Sequence, residues 1–358
     1  MIWAWYHVDS AISTQPARLC LEASANCNLA CPHCFTGAGE RSRERATLSP
    51  RFFSQLLDEL GDRLWQIEFH NWGEPLLNKQ LFEMVAAARA RGISTTFNTN
   101  FSLPFDAARA EALVRSGLSS LGVSIDGARQ ETYEQYRVNG RLGVVLENCR
   151  LVAEAKRRLG SRTPHVVWCF HMFAFNVDDV GAAAAQAAEL GMAFHVSRGR
   201  VVGPDWDPDE RAIPRERITP MPCYTLYDTG VVFADGSVAP CRGSFFAPDD
   251  MGRIAVNGGP GAPSFGAVWR GERFHAARRL FADSSFSSPC SPDGRDHICQ
   301  QCPQRHDWHT FVRWRMAGGA PEAWRPTYDG NLRFNYFWGR RLAHGERPQS
   351  ITSPTRGR

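Results

Sequence analysis

The chain of 358 residues carries 41 Lys and Arg against 37 Asp and Glu, a net charge of +4, with 43% apolar and 22% charged residues. Those proportions are ordinary for a soluble globular protein, and no run approaches the ~18 apolar residues of a membrane helix. The first residues, "MIWAWYHVDS", have neither a basic n-region nor a small-residue cleavage site, so no signal peptide is expected and the cytoplasm is the default compartment. Eleven cysteines in a reducing compartment point to metal ligation or catalysis rather than disulfides.

From residue 17 to 197, short β-rich runs alternate with amphipathic stretches. The runs are "ARLCLEAS", "WQIEFH", "ISTTFN", "LSSLGVSI", "HVVWCFHM" and "MAFHVS". The first helical stretch, "LSPRFFSQLLDELG", has Ser49 as N-cap, Pro50 at the first helical position and Phe53, Leu56, Leu57 and Leu60 on one face. Four more follow at 78–92, 105–117, 144–160 and 177–191, each ending at a glycine suited to a C-cap. Six such alternations predict parallel strands joined by right-handed crossovers, an α/β fold of the partial (β/α)6 TIM-like barrel type. In barrels the chemistry collects on loops at the strand C-termini.

After Ser197 the alternation stops. The expected organisation is a barrel core over 1–200, a proline-rich charged linker over 201–222, a small cysteine-rich domain over 223–303 and a C-terminal extension over 304–358. From Pro303 onward there are ten Arg, four acidic residues and four of the eleven Trp, so the basic balance of the chain belongs to its tail. Alternating aromatics and arginines there fit packing against the barrel better than nucleic-acid binding, since no recognised nucleic-acid module accompanies them.

The loop after the first strand reads "ANCNLACPHCF", placing Cys27, Cys31 and Cys34 within eight residues. A structural zinc site takes four protein ligands. Three thiolates leave one iron of a four-iron cluster open to a non-protein ligand. The spacing Cys-x3-Cys-x2-Cys, with His33 before the last cysteine, resembles the motif of the radical S-adenosylmethionine (SAM) superfamily. The resemblance covers about residues 18–200 and implies that the open iron chelates SAM, whose reductive cleavage yields a hydrogen-abstracting 5′-deoxyadenosyl radical. It also implies an electron donor such as flavodoxin or ferredoxin.

Three later strand ends carry further parts of that resemblance. Gly73, Glu74 and Pro75 resemble the GGEP-type segment whose backbone holds the SAM amino group, with Trp72 replacing the first glycine. Asn98 and Asn100 follow the third strand. Ser124 and Asp126 end the fourth and resemble the polar pair that contacts the ribose or methionine part of SAM, and Arg137 matches an arginine often found after it. His171, His195 and Arg198, near the ends of the fifth and sixth strands, are substrate-pocket candidates.

In the C-terminal part, Cys223, Cys241, Cys290, Cys299 and Cys302, with Gly236-x4-Cys241 and "CQQC", resemble SPASM/Twitch extensions that hold auxiliary [4Fe-4S] clusters. Five cysteines fit the Twitch type with one cluster. The ligand set that resemblance implies is Cys223, Cys241, Cys299 and Cys302; Cys290 is a substitute ligand or a hydrogen-atom donor. A four-cysteine zinc ribbon is the structural alternative. Cys20, Cys149 and Cys169 read as core packing, Cys169 with the option of facing the barrel interior.

The resemblance implies oxidation or epimerisation of a small polar substrate, sugar-like or aminosugar-like, in natural-product biosynthesis. About seventeen residues before the first strand leave no room there for a leader-peptide-binding domain. The alternatives are a maturase of a ribosomally made peptide and a zinc protein without redox chemistry.

Overall fold

The computed structural model describes residues 12, 14–199, 206–209, 212, 223–256, 263–282, 297–300 and 302. Cys290 and the C-terminal extension, together with most of the expected linker, lie outside the described residues. All six expected strands form: β1 (Arg18–Leu21), β2 (Gln66–Glu68), β3 (Ser94–Thr99), β4 (Ser120–Ser124), β5 (His165–Met172) and β6 (Ala193–Arg198). They lie side by side in order, each parallel to the next.

The sheet does not stop at β1. A seventh strand, β7 (Thr229–Val232), pairs parallel with the other side of β1, Cys20 opposite Val231. Beyond it β8 (Ser237–Ala239) and β9 (Gly252–Arg253) run antiparallel. The β7–β8 hairpin turns at Asp235 and Gly236. Gly236 has φ +89°, and a Cβ there would lie 2.2 Å from the Ile254 carbonyl oxygen, so only glycine fits. Sequence alternation marks β1 to β6 but not β7, which is four residues long and follows directly on a short helix over Thr225–Asp228.

The helices cover one face of the sheet. They are α1 (Pro50–Leu60), α2 (Leu81–Ala90), α3 (Ala107–Arg115), α4 (Gln130–Tyr136), α5 (Leu142–Leu159) and α6 (Val180–Glu189), followed in the C-terminal part by α7 (Thr225–Asp228), α8 (Phe265–Trp269) and α9 (Glu272–Ala282). Ser49 caps α1 by accepting from the Phe52 N–H at 3.2 Å, and Phe53, Leu56, Leu57 and Leu60 are buried as their spacing requires. Gly92, Gly117, Gly160 and Gly191 take positive φ at the ends of their helices. Gly61 departs from that pattern: it stays right-handed at φ −54° and passes into a short 3-10 turn over Gly61–Arg63. The short helix α4 had no signal of its own, since "RQETYEQY" offers little apolar periodicity.

Alternation along the strands sorts residues between two environments. On β3, Thr95, Phe97 and Thr99 are buried beneath the helices, whereas Thr96 is half-buried and Asn98 exposed. On β5, Val166, Trp168, Phe170 and Met172 are buried, and Val167, Cys169 and His171 between them are half-buried. Exposure in the middle of a sheet means that this second face lines an open interior rather than a packed one. That interior is polar.

Asn78 pins the loop after β2 to both ends of the segment between β1 and α1. Its amide donates to the carbonyls of Ala23 (3.0 Å) and Leu48 (2.9 Å), and its oxygen accepts from the Gln80 N–H at 2.9 Å. Asn78→Ala strands these buried groups, so it is expected to lower stability by about 2 kcal/mol or more, read as a reduced urea midpoint.

Candidate active site

The cysteine loop leaves β1 and coils back on itself through consecutive turns. The Cys34 N–H donates to the Cys31 carbonyl (3.2 Å), Ala38 to Cys34 (2.7 Å) and Glu40 to Phe35 (2.9 Å). Gly37 permits the coil, since a Cβ there would lie 2.6 Å from both the nitrogen and the oxygen of Cys31. Cys27, Cys31 and Cys34 gather in one cluster with Leu29, Tyr136, Phe173, Phe175 and Trp206, and all three are free thiols. Burial pushes the Cys27 and Cys31 thiols up to about 11 and raises that of Cys34. Thiols so placed bind metal by giving up protons.

Hydrogen-bond donors are aimed at all three sulfurs, with the Thr36 and Gly37 N–H groups on Cys34. The Leu29 N–H (3.5 Å) and the Asn100 side-chain amide (3.7 Å) point at Cys27 Sγ, and an Arg137 guanidinium nitrogen lies 3.9 Å from Cys31 Sγ. His33 packs edge-on to Trp206, ring centroids 4.7 Å apart, and burial pushes its pKa down to about 4, which keeps the ring neutral. Trp206 sits in the expected linker. No spacing rule could have brought it here, because only the fold returns that segment to the cysteine loop.

The Gly73-Glu74-Pro75 segment lies against the start of the cysteine loop. A Cβ on Gly73 would meet the Ser24 carbonyl oxygen at 1.8 Å and that of Asn26 at 2.8 Å, and the Glu74 N–H donates to the Asn26 carbonyl at 2.7 Å. The Glu74 carboxylate is consumed locally, accepting from the Leu76 N–H (3.0 Å), the Thr99 hydroxyl (2.6 Å) and the Asn100 N–H (2.8 Å). It ties the β2 loop to the β3 loop. Trp72 reaches the other way: its indole N–H donates to the Ser244 carbonyl at 3.1 Å, and it packs on Phe35 and Phe245. The residue that departs from the glycine pattern thus binds the loop to the C-terminal segment just past Cys241.

At the end of β4, Asp126 is fully buried; its Oδ2 accepts from Arg137 Nε (2.6 Å), and its Oδ1 from the His171 backbone N–H (2.8 Å) with His171 Nδ1 at 3.1 Å. Burial alone would raise its pKa, but Arg137 and then His171 hold it below the ordinary carboxylate value. Asp126 thereby ties the end of β4 to Arg137 and to the end of β5. Asn176 fixes the arrangement by donating to the Asp126 and His171 carbonyls, both at 2.9 Å.

Arg137 is equally committed. Burial opposes its charge, but the Asp126 carboxylate, with Cys31 next, raises its pKa well above the usual arginine value. Asn100 is buried, binding Cys27, Asn28 and the Ser102 N–H, whereas Asn98 stands exposed in the interior, against Gly122. Ser124 is buried at the strand end, paired in register with Cys169.

Of the pocket candidates, His171 is half-buried beside Asp126 and His195 is exposed, with Cys169 opposite it in register. The Arg198 guanidinium, only 12% exposed, donates to Asp207 and to the Pro208 carbonyl, both at 2.6 Å. A nearly buried charge needs such partners, and here they hold the linker. Cys20 and Cys149 are buried packing residues, pushed up to about 12 by burial, while Cys169 takes the interior-facing option.

Cys223, Cys241, Cys299 and Cys302 are all buried. The Cys299–Cys302 turn hangs on Asp249 and on His297, which sequence reasoning passed over. The Ile298 N–H donates to Asp249 Oδ1 (3.0 Å), the Cys299 N–H to His297 Nδ1 (3.2 Å), and His297 Nε2 lies 3.0 Å from the Asp249 carbonyl. The only signal available was a histidine two residues before the first cysteine of the pair. Among the described residues, no three His, Cys, Asp or Glu side chains converge as a single metal ion would require. A four-iron cluster puts each thiolate on its own iron, so it asks for no such convergence.

Cys31, buried, and Cys27 and Cys34, half-buried, thus lie together at the strand C-termini of an open parallel barrel with donors on their sulfurs. The chain carries a radical SAM domain: residues 21–167 match the Radical SAM superfamily model. That domain uses a [4Fe-4S] cluster and SAM. The chain is 34% identical over 137 residues, 38% of its length and 34% of the relative's, to an Fe-coproporphyrin III synthase of Methanosarcina barkeri (strain Fusaro / DSM 804). It is 30% identical over 194 residues, 52% of its length and 49% of the relative's, to the mycofactocin maturase MftC of Mycobacterium ulcerans (strain Agy99). It therefore spans between about a third and a half of these relatives. In fold it is similar to Streptococcus suis SuiB bound to S-adenosylmethionine, with a TM-score of 0.55 at 15% identity, covering 87% of this chain and 76% of that one.

The residues fit the group the family uses: three free thiols in one apolar pocket, donors on the sulfurs, and a glycine backbone close against the loop. Gly73→Ala drives a methyl into the Ser24 carbonyl. It is expected to cost about 2 kcal/mol of stability and to lower iron uptake on anaerobic reconstitution, while Gly181→Ala in α6, where a Cβ meets nothing within 4 Å, does neither.

Glu22, at the end of β1, supplies a pH test. Burial pushes its pKa up to about 7, although the Ala234 N–H lies 3.4 Å from its Oε2. The native state therefore holds this proton more tightly than the unfolded chain, and ionisation costs stability as pH rises from about 4.5 to about 7. Glu22→Gln is expected to match the parent near pH 4 and to exceed it above pH 7 by on the order of 3 kcal/mol in urea melts.

Proposed function

We propose that the chain is a SPASM/Twitch-type radical SAM enzyme acting on a small polar substrate, sugar-like or aminosugar-like, in the barrel interior, by oxidation or epimerisation. The observation that carries the reading is the cysteine triad in one apolar pocket beside an accessible inner row of Asn98, Cys169, His171 and His195. Polar groups half-exposed in the middle of a sheet suit a hydroxylated or aminated ligand, whose donors and acceptors they can match.

In this reading Cys27, Cys31 and Cys34 hold the SAM cluster, and the backbone at Gly73, Glu74 and Pro75 receives the SAM amino group. When bound, cluster and SAM supply a radical able to take hydrogen from an unactivated carbon. The protein's part is to bind and orient. His33, Tyr136, Phe173 and Trp206 exclude water from the cysteine loop, and His171, held by Asp126, presents its ring to the interior. Cys223, Cys241, Cys299 and Cys302 hold an auxiliary cluster, with Cys290 as a substitute ligand or hydrogen donor.

A second reading, maturation of a ribosomally made peptide, is favoured by the alignment with the mycofactocin maturase over 52% of the chain. Deuterium passing into 5′-deoxyadenosine from a labelled polyol or amino-polyol supports the first reading; transfer from a labelled peptide supports the second. Solvent hydrogen in the product marks epimerisation with a thiol donor.

Anaerobic reconstitution is expected to load about eight irons per chain, two [4Fe-4S] clusters, whereas tightly bound zinc would support a structural protein instead. With SAM and dithionite the loaded protein is expected to release 5′-deoxyadenosine, and Cys31→Ala to release none. A fully loaded parent that releases none overturns the proposal.

A further inference from the structure

We propose that Arg137 sets the reduction potential of the cluster held by Cys27, Cys31 and Cys34, its guanidinium shared between the Asp126 carboxylate and the Cys31 sulfur. The inference rests on the cluster assignment above and adds to the cofactor-binding place that resemblance gives this arginine. Nε donates to Asp126 Oδ2 (2.6 Å), one terminal nitrogen lies 3.9 Å from Cys31 Sγ, and the other lies 3.4 Å from His171 Nδ1.

The position makes the charge count. Arg137 is 12% exposed and Asp126 not at all, so water screens neither well. An arginine stays protonated under every condition the protein survives. Reduction adds negative charge to the cluster and its thiolates, and a fixed cation at one sulfur favours that state. Hydrogen bonds to the sulfurs and local charge are the levers by which proteins move such potentials. The sulfurs of Cys27 and Cys31 differ: Cys27 receives only neutral donors, Leu29 N–H and the Asn100 amide, whereas Cys31 receives the charged one. Asp126 works against Arg137, and its own placement is fixed by His171 and Asn176.

The two halves of the ion pair therefore predict shifts of opposite sign, which a merely structural role does not. The measurement is a redox titration of the reconstituted holoprotein, following by electron paramagnetic resonance the cluster signal that SAM perturbs. Arg137→Gln is expected to make that cluster about tenfold harder to reduce, 59 mV more negative for one electron. Asp126→Asn, which leaves the arginine uncompensated, is expected to move it the other way. Arg137→Lys, keeping a charge with a shorter reach, is expected to fall between the parent and Arg137→Gln. Should Arg137→Gln take up no iron, the sign of the Asp126→Asn shift against the parent decides. Shifts of the same sign in Arg137→Gln and Asp126→Asn, or no shift in either, overturn the proposal while leaving the cluster assignment intact. A parent that loads iron nowhere near Cys31 sinks both.

Discussion

Parallel hydrogen bonding on both sides of β1 is the constraint on which the rest of the molecule depends. With β2 on one flank and β7 on the other, the strand cannot slip, and its C-terminal end lies in the midst of the sheet rather than at an edge. The cysteine loop therefore emerges between the Gly-Glu-Pro loop and the segment that carries Cys241. Phe35, one residue past Cys34, stacks on Phe245 with centroids 4.9 Å apart, and Arg43 pairs with Asp250. The two cysteine-bearing regions are thus packed against each other through the sheet and through one aromatic seam.

Three buried acids show how the site is stabilised without water. Glu74 spends its carboxylate on three donors from neighbouring loops although burial still raises its pKa, Asp126 is held by Arg137 and His171, and Glu22, less well supplied, holds its proton up to about 7. A buried charge without partners is costly, so each acid either recruits donors or stays neutral. The first two recruit donors from loops after different strands and so hold those loops together at one end of the barrel. Rigidity at the site follows from the satisfaction of these groups rather than from apolar packing alone.

Much of this was legible along the chain. Strands show themselves by short β-rich runs, helices by apolar spacing with Ser49, Pro50 and the terminal glycines as punctuation, and the cysteine motif by its spacing. Local rules could not see β7, a four-residue strand that follows directly on the short helix α7. Nor could they see α4, which is held by its place beside the cysteine loop. Glu74 and Asp126 look the same on the page whether their oxygens face a ligand or the protein. Arg198 ends a strand, and Asp207 and Pro208 of the linker, nine and ten residues further on, accept from its guanidinium.

What the sequence determined by itself is therefore the identity and order of the strands, the loop that bears Cys27, Cys31 and Cys34, and the glycine that lets the second loop approach it. These depend on residue type and spacing over a few positions, where sterics and periodicity act directly. Which polar side chains remain available, and which are consumed, was decided only by the tertiary structure. A hydrogen bond between residues 45 or 106 positions apart, such as Asp126 with His171 or Arg137 with Cys31, requires the sheet to be built before the partners meet.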